Sequence, residues 1–416
     1  MRLRLQNMVL FKRWSGLRVA WSAAEQRVAA ALFLWGVGEG LWMYIRPLYI
    51  AELGGSPVEI GQVLGLAGLG AALVMLPTGR LIDRFGPRRL MIPGWWLGLA
   101  GTVGLALAPD WRWSIPAFVL YAVSSFAVPA INAYIAQEAM AHHASFDPRV
   151  AQSAIARTNA AYLSGAILSP LAGGWLGELF GLRAVFWISA VWFVLSLWVV
   201  LGAPGLTGSR PLAGEPQRAI SITPGRWFSV VQARVFVSLA ILFFFMAMGY
   251  TLVPTYLENV LGLPIGLIGG LGAATAAGGV FWMLALRQRP PRLALMTAIG
   301  LVALALAALL YGSTGWAQLP ILIGVYFLLG AYQTARVLSL SVASQHVSTT
   351  RRGTSFGLVE MLFGLGSFFG PAAAGWLYGG VSAQTPFLVA LAVLLALLGL
   401  GWFIFRPPNA QAGLNA

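Results

Sequence analysis

The sequence predicts an all-α membrane protein with twelve transmembrane helices in two six-helix, pseudo-symmetric halves. Three observations carry this. The 416 residues are 59% hydrophobic and only 9% charged, with a mean hydropathy of +0.79. Soluble chains are typically ~45–50% apolar and ~25% charged, so the natural solvent of this chain is a bilayer. Apolar stretches of roughly 20 residues, the length that crosses a bilayer, recur along it twelve times. Features of the first half of the chain return in the second.

The spans are predicted, in order, at 28–51, 58–79, 89–108, 114–137, 154–177, 184–203, 235–257, 265–286, 292–312, 318–341, 355–378 and 385–405. Gly and Pro occur inside them, as is common in membrane helices. Gly61, Gly65, Gly68 and Gly70 in span two would let a second backbone approach closely. The stretch APGLTGSRPLAGEPQRAISITPGRW (203–227) is rich in Pro, Gly and Arg and reads as a linker between halves. The expected organisation is a cytoplasmic tail over 1–27, a first half over 28–203, a linker over 204–234, a second half over 235–405 and a tail over 406–416.

Net charge is +14, from 25 Arg and one Lys against 12 acidic residues. Such a balance can signal nucleic acid, but the positions exclude that reading. With the N-terminus in the cytoplasm, every basic residue except Arg46, Arg112, Arg183 and Arg336 falls in a cytoplasmic segment. This is the positive-inside pattern, and it turns the Arg residues toward anionic headgroups. Both termini are expected in the cytoplasm and the chain in the cell (plasma or inner) membrane. The basic N-terminus has a short apolar run broken by charge and reads as a tail rather than a signal peptide. Cys is absent, so disulfides and thiolate metal sites are excluded.

A constant offset of 207 pairs Arg27 with Arg234, Pro47 with Pro254, Tyr49 with Tyr256, Gly55 with Gly262 and Pro57 with Pro264. An offset of 201 pairs SPLAGGWL (169–176) with GPAAAGWL (370–377). Duplicated halves are a transporter signature, with the site at the interface near midplane. Pro47 and Pro254 either bend spans one and seven at equivalent depths or simply end helices there.

GRLIDRFGPRR (79–89) gathers five charges between spans two and three. With the twelve spans and the duplication, it resembles the major facilitator superfamily, whose loop at this place reads Gly-x-Leu-x-Asp-Arg-x-Gly followed by basic residues. Gly79, Leu81, Asp83, Arg84, Gly86, Arg88 and Arg89 fit; Pro87 stands where a basic residue is usual. FGLRAVFWI (180–188) and RRGTSFGL (351–358) resemble the family's connection between spans five and six and its entry into span eleven. Gly165 to Gly174 partly resembles the span-five motif of the family's antiporters, with Ser169 in place of Gly, and Gly366 to Gly375 repeats the small-residue pattern. Span four lacks the Arg that the drug–proton antiporter pattern expects.

The resemblance implies a transporter working by alternating access, with Asp83 in a cytoplasmic latch between the halves. There it would accept hydrogen bonds from a helix N-terminus and from basic side chains, interactions favoured by the helix dipole and by bidentate Arg geometry. Gly79 and Gly86 would permit a tight turn and close approach. Glu138, paired with Arg149 or Arg157, joins the latch in the first half; Gln345, followed by Arg351 and Arg352, takes that place in the second. The alternative is that the Arg residues only hold the loop inside.

Ionisable residues inside a membrane are candidates for function. Glu39, mid-span in span one with no obvious local partner, is a candidate for proton coupling or substrate contact, or else a packing carboxylate. Arg46, seven residues on, is expected to snorkel to the outer interface. Arg336 and Glu360, in the inner thirds of spans ten and eleven, are expected to pair as a bridge or a relay. The resemblance places the cavity among spans one, four, seven and ten, which supply Trp35, Trp42, Tyr44, Tyr121, Asn132, Tyr250, Tyr326, Tyr332 and Gln333. That aromatic, weakly polar set suits an amphipathic small molecule or a stacked sugar.

The expected function is secondary transport of a small organic solute, proton-coupled and outward. A sugar or metabolite uptake carrier is the alternative, and a transport-dead membrane sensor a further one. An enzyme is not expected, because His142, His143 and His346 lie in or beside cytoplasmic loops with no acidic cluster. No nucleotide-binding GxxxxGK[ST] motif is present, so the proton gradient is the expected energy source, without cofactor or metal. The expected partners are substrate and lipid, without nucleic acid, and the chain is expected to be a monomer.

Overall fold

The computed structural model describes residues 21–143, 148–204, 230–312, 318–347 and 352–406. Helices account for nearly all of them. The first expected span becomes α1 (Ala23–Met43) and α2 (Arg46–Glu52), bent by 53° at their junction. Then follow α3 (Pro57–Phe85), α4 (Pro87–Leu107), α5 (Trp111–Val123) with α6 (Ala127–His143), α7 (Pro148–Phe180) and α8 (Leu182–Leu201). The second half repeats the order with α9 (Val230–Thr251) and α10 (Val253–Asn259), α11 (Ile265–Leu286), α12 (Pro291–Tyr311), α13 (Gln318–Leu329) and α14 (Ala331–Ser344), α15 (Arg352–Gly380) and α16 (Thr385–Ile404).

Among the described residues ten spans are long and apolar enough to cross a membrane, and the bent pair α1–α2 makes eleven. The remaining expected span falls on α7. It is 33 residues long but carries Gln152, Ser153, Thr158, Asn159, Ser164 and Ser169. These hydroxyls return to backbone: Thr158 donates to Ala154 O at 3.1 Å and Ser164 to Ala161 O at 2.7 Å, a common way to carry polar groups in membrane helices.

The prolines at offset 207 begin the short helices after each break, and Ile45 and Leu252, also 207 apart, are their N-caps. Proline has no N–H to give and its ring collides with the carbonyl four residues back, here that of Met43 or Tyr250. Both prolines thus follow a helix break at equivalent positions; the first break is bent by 53°, whereas Val230–Asn259 runs as one span.

A shorter repeat lies inside the first half. Phe85-Gly86-Pro87-Arg88 and Phe180-Gly181-Leu182-Arg183 each carry a glycine at φ +80 or +82, the conformation that favours glycine. Arg88 donates to Ala203 O at 2.9 Å, and Arg183 donates to Ala108 O at 2.8 Å. Each repeat thus closes the end of the other, with a cation on exposed C-terminal carbonyls. Pro87, out of place as a member of a basic run, sits at the first position of α4, where proline is favoured.

The halves meet along two seams of small residues. On α3 and α15, Gly61 lies against Pro371 and Gly375, Gly65 against Phe368, and Gly68 against Ser367. On α7 and α11, Gly174 lies on Gly269 and Glu178 reaches Gly266. All these contacts lie away from the face that carries Arg80, Arg84, Arg88 and Arg89, hereafter the Arg-rich face. The outer surface of the bundle is apolar, with Trp198 76% and Leu168 71% exposed. The chain is an integral membrane protein.

Candidate functional site

A cavity of about 250 Å³ lies between the halves, where the broken spans one and seven cross it. Tyr44, Arg46 and Pro47 line it from span one, and Ala67, Gly68 and Ala71 from α3. Tyr250, Thr251, Pro254, Tyr326, Tyr332, Gln333, Phe363 and Ser367 line it from the second half. Tyr250 and Tyr332 stack at 5.3 Å and 13°. Tyr326 is 3% exposed, and its hydroxyl is buried without a hydrogen-bond partner among the described residues. Tyr44 packs flush on Gly272 of α11 and closes the cavity at the seam.

Arg46 is the correction of most consequence. Rather than running out to a membrane interface, it lines the cavity. The 53° bend at Tyr44–Ile45 redirects α2, so a residue one turn beyond Met43 turns inward. It is the charged residue of the lining, and among the described residues it makes no ion pair.

The expected cavity set therefore divides. Tyr44, Tyr250, Tyr326, Tyr332 and Gln333 line the cavity; Trp35, Trp42, Tyr121 and Asn132 do not. Trp42 is buried in the first half and donates to Ser189 Oγ at 3.1 Å. Trp35 stacks on Phe193 at 4.0 Å, and Tyr121 sits edge-on to Trp42 at 4.7 Å. These rings fill space among α1, α4, α5 and α8, the bulk of an aromatic residue being satisfied inside one half. Phe363 and Ser367 come from span eleven, outside the four spans the resemblance implied.

Glu39 has a partner that spacing along span one does not reveal. Tyr162 of α7 donates to its Oε2 at 2.8 Å, with Tyr121 and Trp35 also in hydrogen-bonding reach. Close packing of α1 on α7 brings them together: Gly36 touches the Tyr162 carbonyl, Gly165 the Phe33 carbonyl and Gly173 the Leu41 carbonyl. The antiporter-like stretch is thus a packing stripe, with Gly173 facing span one and Gly174 facing the other half. Gly366 and Gly370 against α9, and Gly375 against Pro57, repeat the arrangement in α15.

Arg336 and Glu360 meet at 2.5 Å, and the Arg336 guanidinium lies 4.2 Å from the Phe363 ring centroid. Both side chains are 37% exposed. The pair stands on the Arg-rich side of the cavity, one turn beyond Tyr332.

Among the described residues, no hydrogen bond or ion pair joins the expected latch residues to one another. Asp83 lies within the last turns of α3 rather than in a loop, is exposed, and makes no hydrogen bond or ion pair among the described residues. Gly79 is also helical, and a Cβ there would meet nothing within 4 Å, so it has neither turn nor close approach to serve here. Gly86 does form the turn. Arg84 lies over the neighbouring Phe85 ring at 5.2 Å, while Arg88 is spent on Ala203 O. Arg157 pairs not with Glu138 but with Glu25, at 3.3 Å, because the first turn of α1 lies between them; Glu138 stands near Glu25 and His142. Arg351 lies outside the described residues, as do the side chains of Arg149 and Arg352. The inter-half contacts at Gly61, Gly65, Gly68, Gly174 and Glu178 thus lie toward the end opposite these residues.

Residues 28–331 and 289–416 match the family model described as Major Facilitator Superfamily. The chain is 30% identical over 177 residues to the multi-drug resistance efflux pump PmrA of Streptococcus pneumoniae, covering 41% of this chain and 40% of that protein. It is 34% identical over 161 residues to the multidrug resistance protein MdtG of Proteus mirabilis, covering 37% and 38%. The matched region thus spans about 40% of the length of these relatives. The crystal structure of the nucleoside transporter NupG superposes with a TM-score of 0.76 over 92% of this chain and 100% of that one, at 15% identity.

Proposed function

We propose that this chain, a member of the Major Facilitator Superfamily, exports a small organic solute across the cell membrane by alternating access, driven by the proton gradient. The observation that carries the reading is the cavity between the halves, bordered on one side by the α3–α15 and α7–α11 seams. The positive-inside pattern makes the Arg-rich face cytoplasmic, so the cavity opens inward and both termini are cytoplasmic. A cavity alternately open to each face is what a solute carrier requires. The partial similarity to drug efflux proteins supports the outward direction.

Glu39 is the coupling residue in this reading. Its carboxyl sits in the membrane between Tyr162 and the Trp35–Tyr121 pair, on the same span as Arg46 and two turns from it. A proton taken or released there alters the hydrogen bond to α7, and so the helix that carries the inter-half contact at Glu178. Arg336 and Glu360 serve as an internal tie between spans ten and eleven.

The test uses purified full-length protein in liposomes with an imposed pH gradient and a panel of drugs and sugars. Gradient-driven movement is expected in the wild type and is lost in Glu39→Gln, while exchange without a gradient persists. Full, still pH-dependent transport by Glu39→Gln overturns the coupling role. Movement of a sugar down its own gradient, indifferent to pH, makes the chain an uptake facilitator. No transport and no binding of any compound make it a sensor.

A further inference from the structure

We propose that the central cavity recognises a small aromatic organic anion, a carboxylate or sulfonate of one or two rings, whose acid group is held by Arg46. This rests on the transport reading above and names its substrate class.

Charge carries the argument furthest. Arg46 lines the cavity, and no lining residue is acidic. Glu39, two turns along the same span, interacts electrostatically with Arg46 but lies outside the lining and accepts from Tyr162 at 2.8 Å, and Glu360 is paired with Arg336. An arginine inside a membrane bundle ordinarily finds a counter-charge or lines a route for one. A cationic solute would meet Arg46 with no acidic group in the lining to offset the repulsion. An anion supplies the missing partner, and guanidinium is suited to planar, bidentate acid groups.

The rest of the lining fits the same ligand. The Tyr326 hydroxyl is buried and unpartnered among the described residues, and Gln333 adds an amide. A buried unpaired hydroxyl costs free energy until a ligand satisfies it. The Tyr250–Tyr332 stack offers an apolar, aromatic wall for a ring. The volume, about 250 Å³, falls just below the ~300–1,000 Å³ of typical ligand pockets, which limits the solute to one or two rings.

The test is a matched probe series: 2-naphthoate, its neutral amide 2-naphthamide, and the cation 2-naphthylmethylammonium. Exchange of each is measured in vesicles of phosphatidylcholine alone, so that no anionic lipid headgroup competes for Arg46. Wild type is expected to prefer naphthoate over naphthamide by roughly tenfold to hundredfold, the range for a hydrogen bond to a charged group. Arg46→Lys keeps an anion preference with weaker binding; Arg46→Gln loses the preference but still exchanges the amide. Arg46→Lys, with its melting temperature, keeps the proposal falsifiable where Arg46→Gln does not fold. Equal or better exchange of the amide or the cation by wild type, or an anion preference that survives Arg46→Gln, overturns the anion assignment and leaves transport standing. Failure of all three probes to exchange while a compound of the drug and sugar panel moves overturns the anion assignment alone, and failure of the probes and the panel together overturns both. A preference that appears only when phosphatidylglycerol is absent and is abolished by adding it identifies the headgroup as the anion and overturns the solute assignment.

Discussion

Glu178 Oε2 accepts a hydrogen bond at 2.8 Å from the backbone N–H of Gly266, tying the end of α7 to the first turn of α11. It crosses between the halves at the same end as the Gly174–Gly269 contact. A carboxylate on the free N–H groups of a helix start gains from both hydrogen bond and dipole. This is the interaction expected of Asp83 at the other face, made here by a different residue at the opposite end. Glu178 thus ties the two halves at the end away from the Arg-rich face.

Removing that tie should release that end. The chain contains no Cys, so a Ser367→Cys reporter in the cavity reports access from either side to an impermeant thiol reagent. In Glu178→Ala, reactivity from the face opposite the Arg-rich one should rise by about threefold to tenfold, a charged hydrogen bond discounted for exposure. Unchanged reactivity would reduce Glu178 to a surface cap.

Asp83→Asn should act in the opposite sense. Asp83 has no partner among the described residues in this state, so melting should change by no more than about 0.5 kcal/mol, as for an exposed substitution. Closure of the Arg-rich face should weaken, and Ser367→Cys should react more from that face and less from the other. The same labelling pattern with and without Asp83→Asn would return the stretch to a topological anchor.

Gly173→Ala should destabilise the first half. A Cβ there meets the backbone of Leu41, which cannot swing aside as a flexible side chain can. Overpacking of this kind costs about 1–3 kcal/mol. Gly300→Ala, whose Cβ would meet only Leu398 side-chain atoms at 3.8 Å, is the control and should melt like the wild type or higher. Equal melting of the two variants would mean that α1 and α7 separate at no cost.

Much of the fold was legible because a bilayer imposes simple rules. Span length, apolarity and the siting of Arg depend on local composition, and each can be read without knowing any neighbour. Pro47 and Pro254 marked two equivalent helix breaks because proline alters the backbone wherever it stands. The span on α7 falls short on apolarity because of its polar residues, which are carried by bonds to its own backbone (Thr158, Ser164) and to α1 (Tyr162) that hydropathy does not register. The candidate site was only partly legible. Tyr44, Tyr250, Tyr326, Tyr332 and Gln333 line the cavity, but Trp42 has the same composition signal and is buried in one half. Which side of a helix faces the cavity depends on its rotation and on what packs behind it.

The sequence by itself determined that the chain is a duplicated bundle of membrane helices, that its Arg residues gather on one face, and where spans one and seven break. Tertiary structure alone decided that Arg46 turns into the cavity, that Glu39 meets Tyr162, and that Glu178 rather than Asp83 holds the halves in this state. The physical reason is range. Transfer to lipid and proline sterics act on a residue and its neighbours in the chain, whereas the partner of a charge is chosen by helices distant in the chain, 123 residues apart for Glu39 and Tyr162 and 88 for Glu178 and Gly266.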